Sequence, residues 1–204
     1  PEVLGLLANA RKEGVDAAAD CYPYNAWASS LSILIPSRRF QDCQEIQEAF
    51  KKVGGPDKIL ITRFSENPAI EFKNIFEIAR LWDMDPVAVF MKLMAKGGAS
   101  VVCESMHPGD IAAFYRDSFV MVASDGGIDS RHPRKAGTFP RVLGRFVREQ
   151  GVLSLAEAAR KMTSLPASRL GITDRGLIAV GRSADLVVFD PSTLIDLSTF
   201  QEPN

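Results

Sequence analysis

The feature that most constrains the fold is an apolar run that ends in a carboxylate and two glycines. Residues 119–123 are apolar or small, and Ser124, Asp125 and a Gly-Gly pair follow them. A continuous apolar run is typical of a strand that is covered on both faces in a parallel sheet. Such a strand places Asp125 at its carboxyl end, where parallel α/β folds carry catalytic side chains. Asp125 is therefore a candidate acid/base or metal partner, although Asp-Gly is also common in ordinary turns.

The order of the other elements predicts an α/β fold. Apolar residues at helical spacing predict helices at 3–11, 41–53, 74–82, 86–96, 108–116, 141–149 and 155–162. Strands are predicted at 15–20, 58–62 and 99–103, with a long aromatic loop at 21–37. Because helices and strands alternate through short joints, we expect four strands, including the one before Asp125, in one parallel sheet. A closed barrel needs eight strands, so this sheet would be about half of one.

The last part of the chain has a different pattern. Two short apolar segments at 175–181 and 184–191 are separated by turn residues, which predicts antiparallel strands beyond a boundary near residue 171. The chain starts inside a predicted helix without a methionine and stops on an extended segment. We therefore expect it to be a piece of a longer protein.

The charge and cysteine content of the chain indicate which classes of binding partner and which cellular compartment to expect. Lys and Arg total 24 against 25 Asp and Glu, and no long basic run occurs, so we expect no nucleic-acid partner and no membrane partner. The three cysteines are widely spaced and form no C-x-x-C pair, which is typical of reduced thiols in a cytoplasmic protein. No apolar stretch approaches the ~18 residues that span a bilayer.

Several motifs resemble those of the N-acyl-D-amino-acid deacylase (D-aminoacylase) family. The most specific is H-P-R at 132–134 followed by G-T-F-P-R-V-L-G-R at 137–145. The sequence D-C-Y-P-Y at 20–24 is similar to the D-x-Y-P-Y element of that family. The tail A-D-L-V-V-F-D at 184–190 is similar to a closing β segment of the wider amidohydrolase superfamily. The resemblance covers essentially the whole chain.

This resemblance implies a zinc-dependent hydrolase that cleaves the amide bond of N-acyl-D-amino acids, built as a (β/α)8 barrel beside a small β-sandwich. Residues 1–170 would then be the C-terminal part of the barrel and residues 171–204 part of the sandwich. The family holds its metal mainly through an H-x-H pair, a cysteine and two later histidines, and we expect these before residue 1. Neither Cys21 nor Cys103 matches the motif of that cysteine. This chain would then be inert without the remainder of its parent protein.

Five side chains are candidates for the site, of which Asp125 and Tyr22 follow from the resemblance and the other three from their chemistry and their place in the loops. Asp125 matches the aspartate that touches the metal, deprotonates the attacking water and passes the proton to the leaving amine. Arg134 is a candidate for binding the substrate carboxylate, with a solvated loop arginine as the alternative. Tyr22 would place its hydroxyl near that carboxylate or would simply plug the barrel mouth. His132 would orient Arg134, bind substrate or cap a turn, and Ser29 would help to shape the pocket.

Two other interpretations remain open at this stage. One is a non-catalytic fragment that self-associates through the exposed edge of an unclosed sheet. The other is a cyclic-amide hydrolase of the dihydropyrimidinase or hydantoinase kind, which shares the tail motif but would lack the H-P-R block.

Overall fold

A computed structural model describes residues 2–203, which divide into two compact units. We name residues 2–24 and 107–203 the frame unit, and residues 25–106, which interrupt it in sequence, the insert unit. The strands are β1 (Ala19–Cys21), β2 (Ala26–Ser30), β3 (Ile59–Arg63), β4 (Ser100–Glu104) and β5 (Val120–Val122). The helices are α1 (Glu2–Lys12), α2 (Cys43–Lys52), α3 (Ile75–Trp82), α4 (Pro86–Ala95), α5 (Pro108–Arg116), α6 (Arg134–Arg141), α7 (Leu155–Met162) and α8 (Ser164–Arg169). A π-helical stretch, Val142–Glu149, continues α6.

Local sequence signals explain where the helices of the insert unit begin. Asn74 and Glu77 form a reciprocal capping box at α3, with both hydrogen bonds at 2.8 Å. Asp85 caps α4 by accepting from the Val87 amide at 2.8 Å, and Pro86 occupies the first turn. None of the described helices is long and apolar enough to cross a membrane.

The insert unit is built on a three-stranded antiparallel sheet in the order β2-β4-β3. In β2 and β4, Ala26 lies opposite Glu104 and Ser30 opposite Ser100. The unit's own core includes fully buried side chains from β3, β4 and the helices, among them Ile61, Val101 and Phe90. Because β2 and β4 are antiparallel, the two ends of the unit lie side by side, and the Met106 amide donates to the Asn25 carbonyl at 3.1 Å.

The frame unit holds a parallel pair of strands. In β1 and β5, Ala19 lies opposite Val120 and Cys21 opposite Val122. Side chains from α5, β5, the π-helical stretch and α7 form a separate core, in which the Tyr115 and Phe146 rings meet edge to face with centroids 5.1 Å apart. The parallel pair therefore has its own apolar support.

The prediction of an α/β protein is confirmed, whereas the single parallel sheet of four strands is wrong. Among the strands of residues 2–203, only β1 and β5 pair in parallel, and β3 and β4 belong to the antiparallel sheet. The predicted loop at 21–37 contains β2, whose small and polar residues gave no strand signal. A short apolar run marks a strand without encoding the direction of its neighbour, and this accounts for the error.

The two predicted antiparallel strands of the tail are also corrected. Among residues 171–203 the structure contains no strand. Ile178 is 92% exposed and Val188 is 97% exposed. A strand requires a hydrogen-bonded neighbour, and no described segment pairs with this one, so its apolar pattern is left without a sheet.

Candidate active site

Asp125 lies in the loop that leaves the carboxyl end of β5. Its backbone adopts the left-handed region, with φ of +45°, which aspartate tolerates better than most residues. A Cβ on the next residue, Gly126, would lie 2.8 Å from the Lys135 Cα, so only glycine allows this loop to approach the start of α6. The Asp125 side chain is 64% exposed. The loop therefore fixes the backbone of Asp125 and leaves its carboxylate accessible.

Arg134, the first residue of α6, grips Asp125 at two points. Its Nη2 lies 2.7 Å from the Asp125 Oδ2, and its Nε donates to the Asp125 carbonyl at 3.0 Å. The Arg134 side chain is only 7% exposed. Charge-assisted hydrogen bonds of this kind are about twice as strong as neutral ones. The buried guanidinium therefore holds both the backbone and the carboxylate of Asp125.

Tyr22, which directly follows β1, forms the third side of this cluster. The Arg134 guanidinium carbon lies 4.6 Å from the centre of the Tyr22 ring, within cation–π range. Burial raises the pKa of the Tyr22 hydroxyl, the Arg134 charge opposes that rise, and the Asp125 charge adds to it. The structure thus brings together three of the side chains proposed from the sequence.

His132 lies behind Arg134 and is fully buried. Its Nδ1 accepts from the Arg134 amide at 3.0 Å. Its ring meets the rings of Tyr24 and Phe200 edge to face, with centroids 5.2 Å away in each case. This histidine orients the first turn of α6, which corresponds to the capping alternative considered from the sequence.

A buried ion-pair network that the sequence did not reveal supports Tyr24. The Asp196 carboxylate, whose side chain is 1% exposed, accepts from Arg141 Nη1 at 2.7 Å and from Arg145 Nε at 2.8 Å. Arg141 also donates from Nε to the Pro23 carbonyl at 2.8 Å, and its guanidinium carbon lies 4.6 Å from the centre of the Tyr24 ring. Burial and the Asp196 charge raise the pKa of Tyr24 to about 12.

The other candidates from the sequence lie elsewhere. Ser29 is half-buried on β2 of the insert unit, opposite Val101, and its assignment to a pocket stays a prediction. His107, which was not among the sequence candidates, caps α5 because its Nδ1 accepts from the Gly109 amide. Arg141 stands in the G-T-F-P-R block, and a lone carboxylate between Ile195 and Leu197 was the only signal for Asp196.

The described residues 2–203 contain no group of three or more histidine, cysteine or acidic side chains that could hold a metal ion. Asp125 is the accessible carboxylate at the end of the parallel pair, and its Oδ2 is engaged by Arg134. Any metal at this position would therefore need ligands beyond those that the described residues supply.

The chain is similar in sequence to known enzymes. A sequence profile of the amidohydrolase family matches residues 110–204. N-acyl-D-glutamate deacylase of Alcaligenes xylosoxydans xylosoxydans is 38% identical over 202 residues, which are 98% of this chain. D-aminoacylase of the same organism is 34% identical over 190 residues, or 92% of this chain. The chain belongs to the D-aminoacylase family of amidohydrolases.

Solved structures agree with membership of the D-aminoacylase family. The crystal structure of N-acyl-D-glutamate deacylase from Bordetella bronchiseptica, in complex with zinc and a phosphonate inhibitor that mimics the tetrahedral intermediate, matches this chain with a TM-score of 0.82. The two are 33% identical, and the match covers 99% of this chain and 39% of that one. The chain spans 37% and 35% of the length of the two Alcaligenes relatives. The family resemblance noted in the motifs is confirmed.

Proposed function

We propose that this chain is part of a zinc-dependent hydrolase that cleaves the amide bond of N-acyl-D-amino acids and is inert by itself. The observation that carries the proposal is the accessible carboxylate of Asp125, held by Arg134 at the end of a parallel strand. It occurs in a chain that is 38% identical to an N-acyl-D-glutamate deacylase. That relative's name supports the class of substrate.

The finer architecture belongs to the same proposal. The parallel pair β1 and β5, backed by helices, supports a barrel portion within residues 1–170. The exposed apolar side chains at 177–189 support the assignment of residues 171–204 to part of a β-sandwich. Both the boundary at residue 171 and the sandwich stay predictions.

This chain offers one suitable zinc ligand, Asp125. Asp125 offers an accessible carboxylate oxygen, which is a suitable zinc ligand, and the other ligands would come from the rest of the parent protein. When bound, a zinc ion supplies a hydrolase with a water that gives up its proton near neutral pH. The Asp125 carboxylate would accept that proton and return it to the departing amine nitrogen. Arg134 holds the carboxylate in place for both transfers.

The substrate carboxylate would bind beside this pair. The Arg134 guanidinium carries five N–H donors, more than its two contacts to Asp125 use, and its planar shape suits a carboxylate. Tyr22 would add its hydroxyl, and His132 would hold the Arg134 backbone. An N-acyl substrate that carries a free carboxylate is therefore expected to be preferred over its amide.

Zinc analysis together with hydrolysis of N-acetyl-D-methionine and N-acetyl-D-glutamate tests the proposal. The full-length protein should contain zinc and be active, and Asp125→Asn should lower kcat/KM by about 10²- to 10⁴-fold because the proton carrier is lost. Asp129→Asn, which changes a second carboxylate of the same loop, is the control and should cost less than about threefold. A fully active Asp125→Asn protein, or turnover by residues 1–204 alone, would contradict the proposal.

A further inference from the structure

We propose that Arg141 is a positioning residue for the Asp125–Arg134 pair and that it acts through Tyr24 and His132. The inference rests on the function proposed above, because it assigns a task to a side chain that touches neither Asp125 nor Arg134. It concerns the buried side of the site, at the opposite end of α6 from Arg134.

Arg141 is itself held in place by two contacts. Its Nη1 contacts the Asp196 carboxylate, which has 1% of its side chain exposed, and its Nε donates to the Pro23 carbonyl. Asp196 has two guanidinium partners, Arg141 and Arg145, and a buried carboxylate that lost one of them would be only partly compensated, so the Arg141–Asp196 pair resists separation. Arg141 therefore has one preferred position relative to the segment before Tyr24.

The position of Arg141 in turn determines the positions of the Tyr24 and His132 rings. The Arg141 guanidinium lies against the face of Tyr24, and the Tyr24 hydroxyl donates to the Pro133 carbonyl at 3.4 Å. The Tyr24 ring meets His132 at an interplanar angle of 88°. A Cβ at residue 137 would lie 2.2 Å from the Tyr24 hydroxyl oxygen, so Gly137 permits this close approach. Tyr24 is thus packed between the two ends of α6.

His132 links these rings to the Asp125–Arg134 pair. His132 Nδ1 accepts from the Arg134 amide at 3.0 Å, and Arg134 holds Asp125 through two contacts. A shift of Tyr24 would remove the surface against which His132 packs. The Arg134 backbone, which His132 holds, would then no longer be fixed, and the Arg134 side chain would move with it. Misplacement of reacting groups by about 1 Å costs about a hundredfold in rate.

Arg145 provides a matched comparison, because it contacts the same Asp196 carboxylate from one helical turn further along. Among the described contacts, Arg145 has no ring or carbonyl partner at residues 23–24, whereas Arg141 has both. If the two arginines had only a structural role, the loss in kcat/KM of each variant would follow its loss in stability. A positioning role makes only Arg141 matter for the reaction.

The experiment compares Arg141→Lys with Arg145→Lys in the full-length protein. We expect Arg141→Lys to lower the melting temperature at least as much as Arg145→Lys, because Arg141 also contacts the Pro23 carbonyl and the Tyr24 ring. Arg141→Lys should raise KM for N-acetyl-D-methionine and lower kcat/KM by about tenfold to a hundredfold, whereas Arg145→Lys should change kcat/KM by less than about threefold. Equal kinetic losses in the two variants would overturn the proposal.

A second measurement is independent of turnover. The His132 ring lies 5.2 Å, between centroids, from each of the Tyr24 and Phe200 rings, so ring currents make the NMR shifts of its protons report the position of Tyr24. Arg141→Lys should move these resonances and Arg145→Lys should leave them in place; unmoved resonances in Arg141→Lys would overturn the proposal. If Arg141→Lys does not fold, Asp196→Asn, which weakens the same anchor, should move them instead. A wild-type protein without hydrolase activity would refute the proposed function, and the NMR comparison would still decide the positioning role.

Discussion

Asp125 combines a left-handed backbone, an accessible carboxylate and a buried arginine partner. Each of these has a cost. A non-glycine residue at positive φ is strained, and a buried guanidinium loses hydrating water that protein acceptors must replace. The two contacts from Arg134 offset both costs at once, since one goes to the Asp125 backbone and the other to its side chain.

Replacement of Arg134 by lysine tests whether this geometry or the charge alone matters. A lysine ammonium is a point charge that cannot contact the Asp125 carbonyl, its carboxylate and the Tyr22 face together. We expect Arg134→Lys to lower kcat/KM of the full-length enzyme by about ten- to a hundredfold, mainly through KM, as measured by steady-state kinetics. Arg131→Lys is the control in the same loop, and retention of the wild-type KM by Arg134→Lys would contradict the carboxylate-binding role.

Cys21 should make the protein less stable at alkaline pH. Burial, and then the Asp20 charge, raise the pKa of its thiol from 9.0 to about 11. Since the folded pKa lies above the unfolded one, the stabilisation is complete below pH 9.0 and is lost as the pH rises to about 11. Cys21→Ala should therefore reduce the alkaline fall in the free energy of unfolding by about 3 kcal/mol.

Urea unfolding across this pH range measures the effect. Cys43→Ala is the matched control, because Cys43 is an exposed thiol and its removal should leave the pH dependence as it is. An unchanged alkaline slope in the Cys21→Ala protein would rule out the buried thiol as the cause.

At the scale of elements, one side of α6 and of the π-helical stretch after it contacts several other segments of the frame unit. Arg134, Gly137 and Arg141 all meet the Tyr22–Tyr24 segment or its neighbours, and Gly144 meets the tail, where a Cβ would lie 2.7 Å from the Leu194 carbonyl oxygen. A π-helical stretch changes the angular spacing of side chains, and such stretches are frequent at functional sites. The spacing of the H-P-R and G-T-F-P-R motifs thus corresponds to a single packed surface.

The packing of Gly137 against Tyr24 predicts a coupled pair of substitutions. Gly137→Ala should lower the free energy of unfolding by about 1–3 kcal/mol, because its methyl group would meet the Tyr24 hydroxyl oxygen. In a Tyr24→Phe background that oxygen is gone, so the same change should cost much less. A double-mutant cycle measured by denaturant unfolding gives the coupling, and additive effects would show that the hydroxyl is not the obstacle.

What the sequence could predict depended on how local the signal was. Helix starts such as that at Asp85 and Pro86 follow from contacts within a few residues, and they were predicted correctly. The apolar run before Asp125 located a parallel strand for the same reason. The partner of β4 and the pairing of Asp196 with Arg141 depend on residues tens of positions away, which no local pattern encodes. The resemblance to the family supplied Tyr22 and Asp125, and the match of a guanidinium to a carboxylate supplied Arg134, whereas spacing alone would not have joined them.

At the scale of the whole molecule, the insert unit has what an independent domain requires. Its core residues all come from residues 25–106, and its sheet is complete within that range. A segment that has a separate hydrophobic core should unfold as a separate cooperative unit.

Expression of residues 25–106 alone tests this independence. We expect a folded fragment with a cooperative thermal transition measured by circular dichroism. Ile61→Ala, at a fully buried site of β3, should lower its stability by about 2–5 kcal/mol, and Ile33→Ala, at a site that is 55% exposed, should change it by less than about 0.5 kcal/mol. A fragment without a transition, or equal effects of the two changes, would show that the unit depends on the frame.

The adjacency of Asn25 and Met106 has an evolutionary consequence. Because the chain leaves and re-enters the frame unit at neighbouring points, the intervening cassette can be lengthened, shortened or exchanged without altering the gap that the frame must bridge. Mutations in the cassette need not disturb the register of β1 with β5 or the helix that carries Arg134. A lineage built in this way can preserve the Asp125–Arg134 pair while it diversifies an entire grafted segment at a different pace.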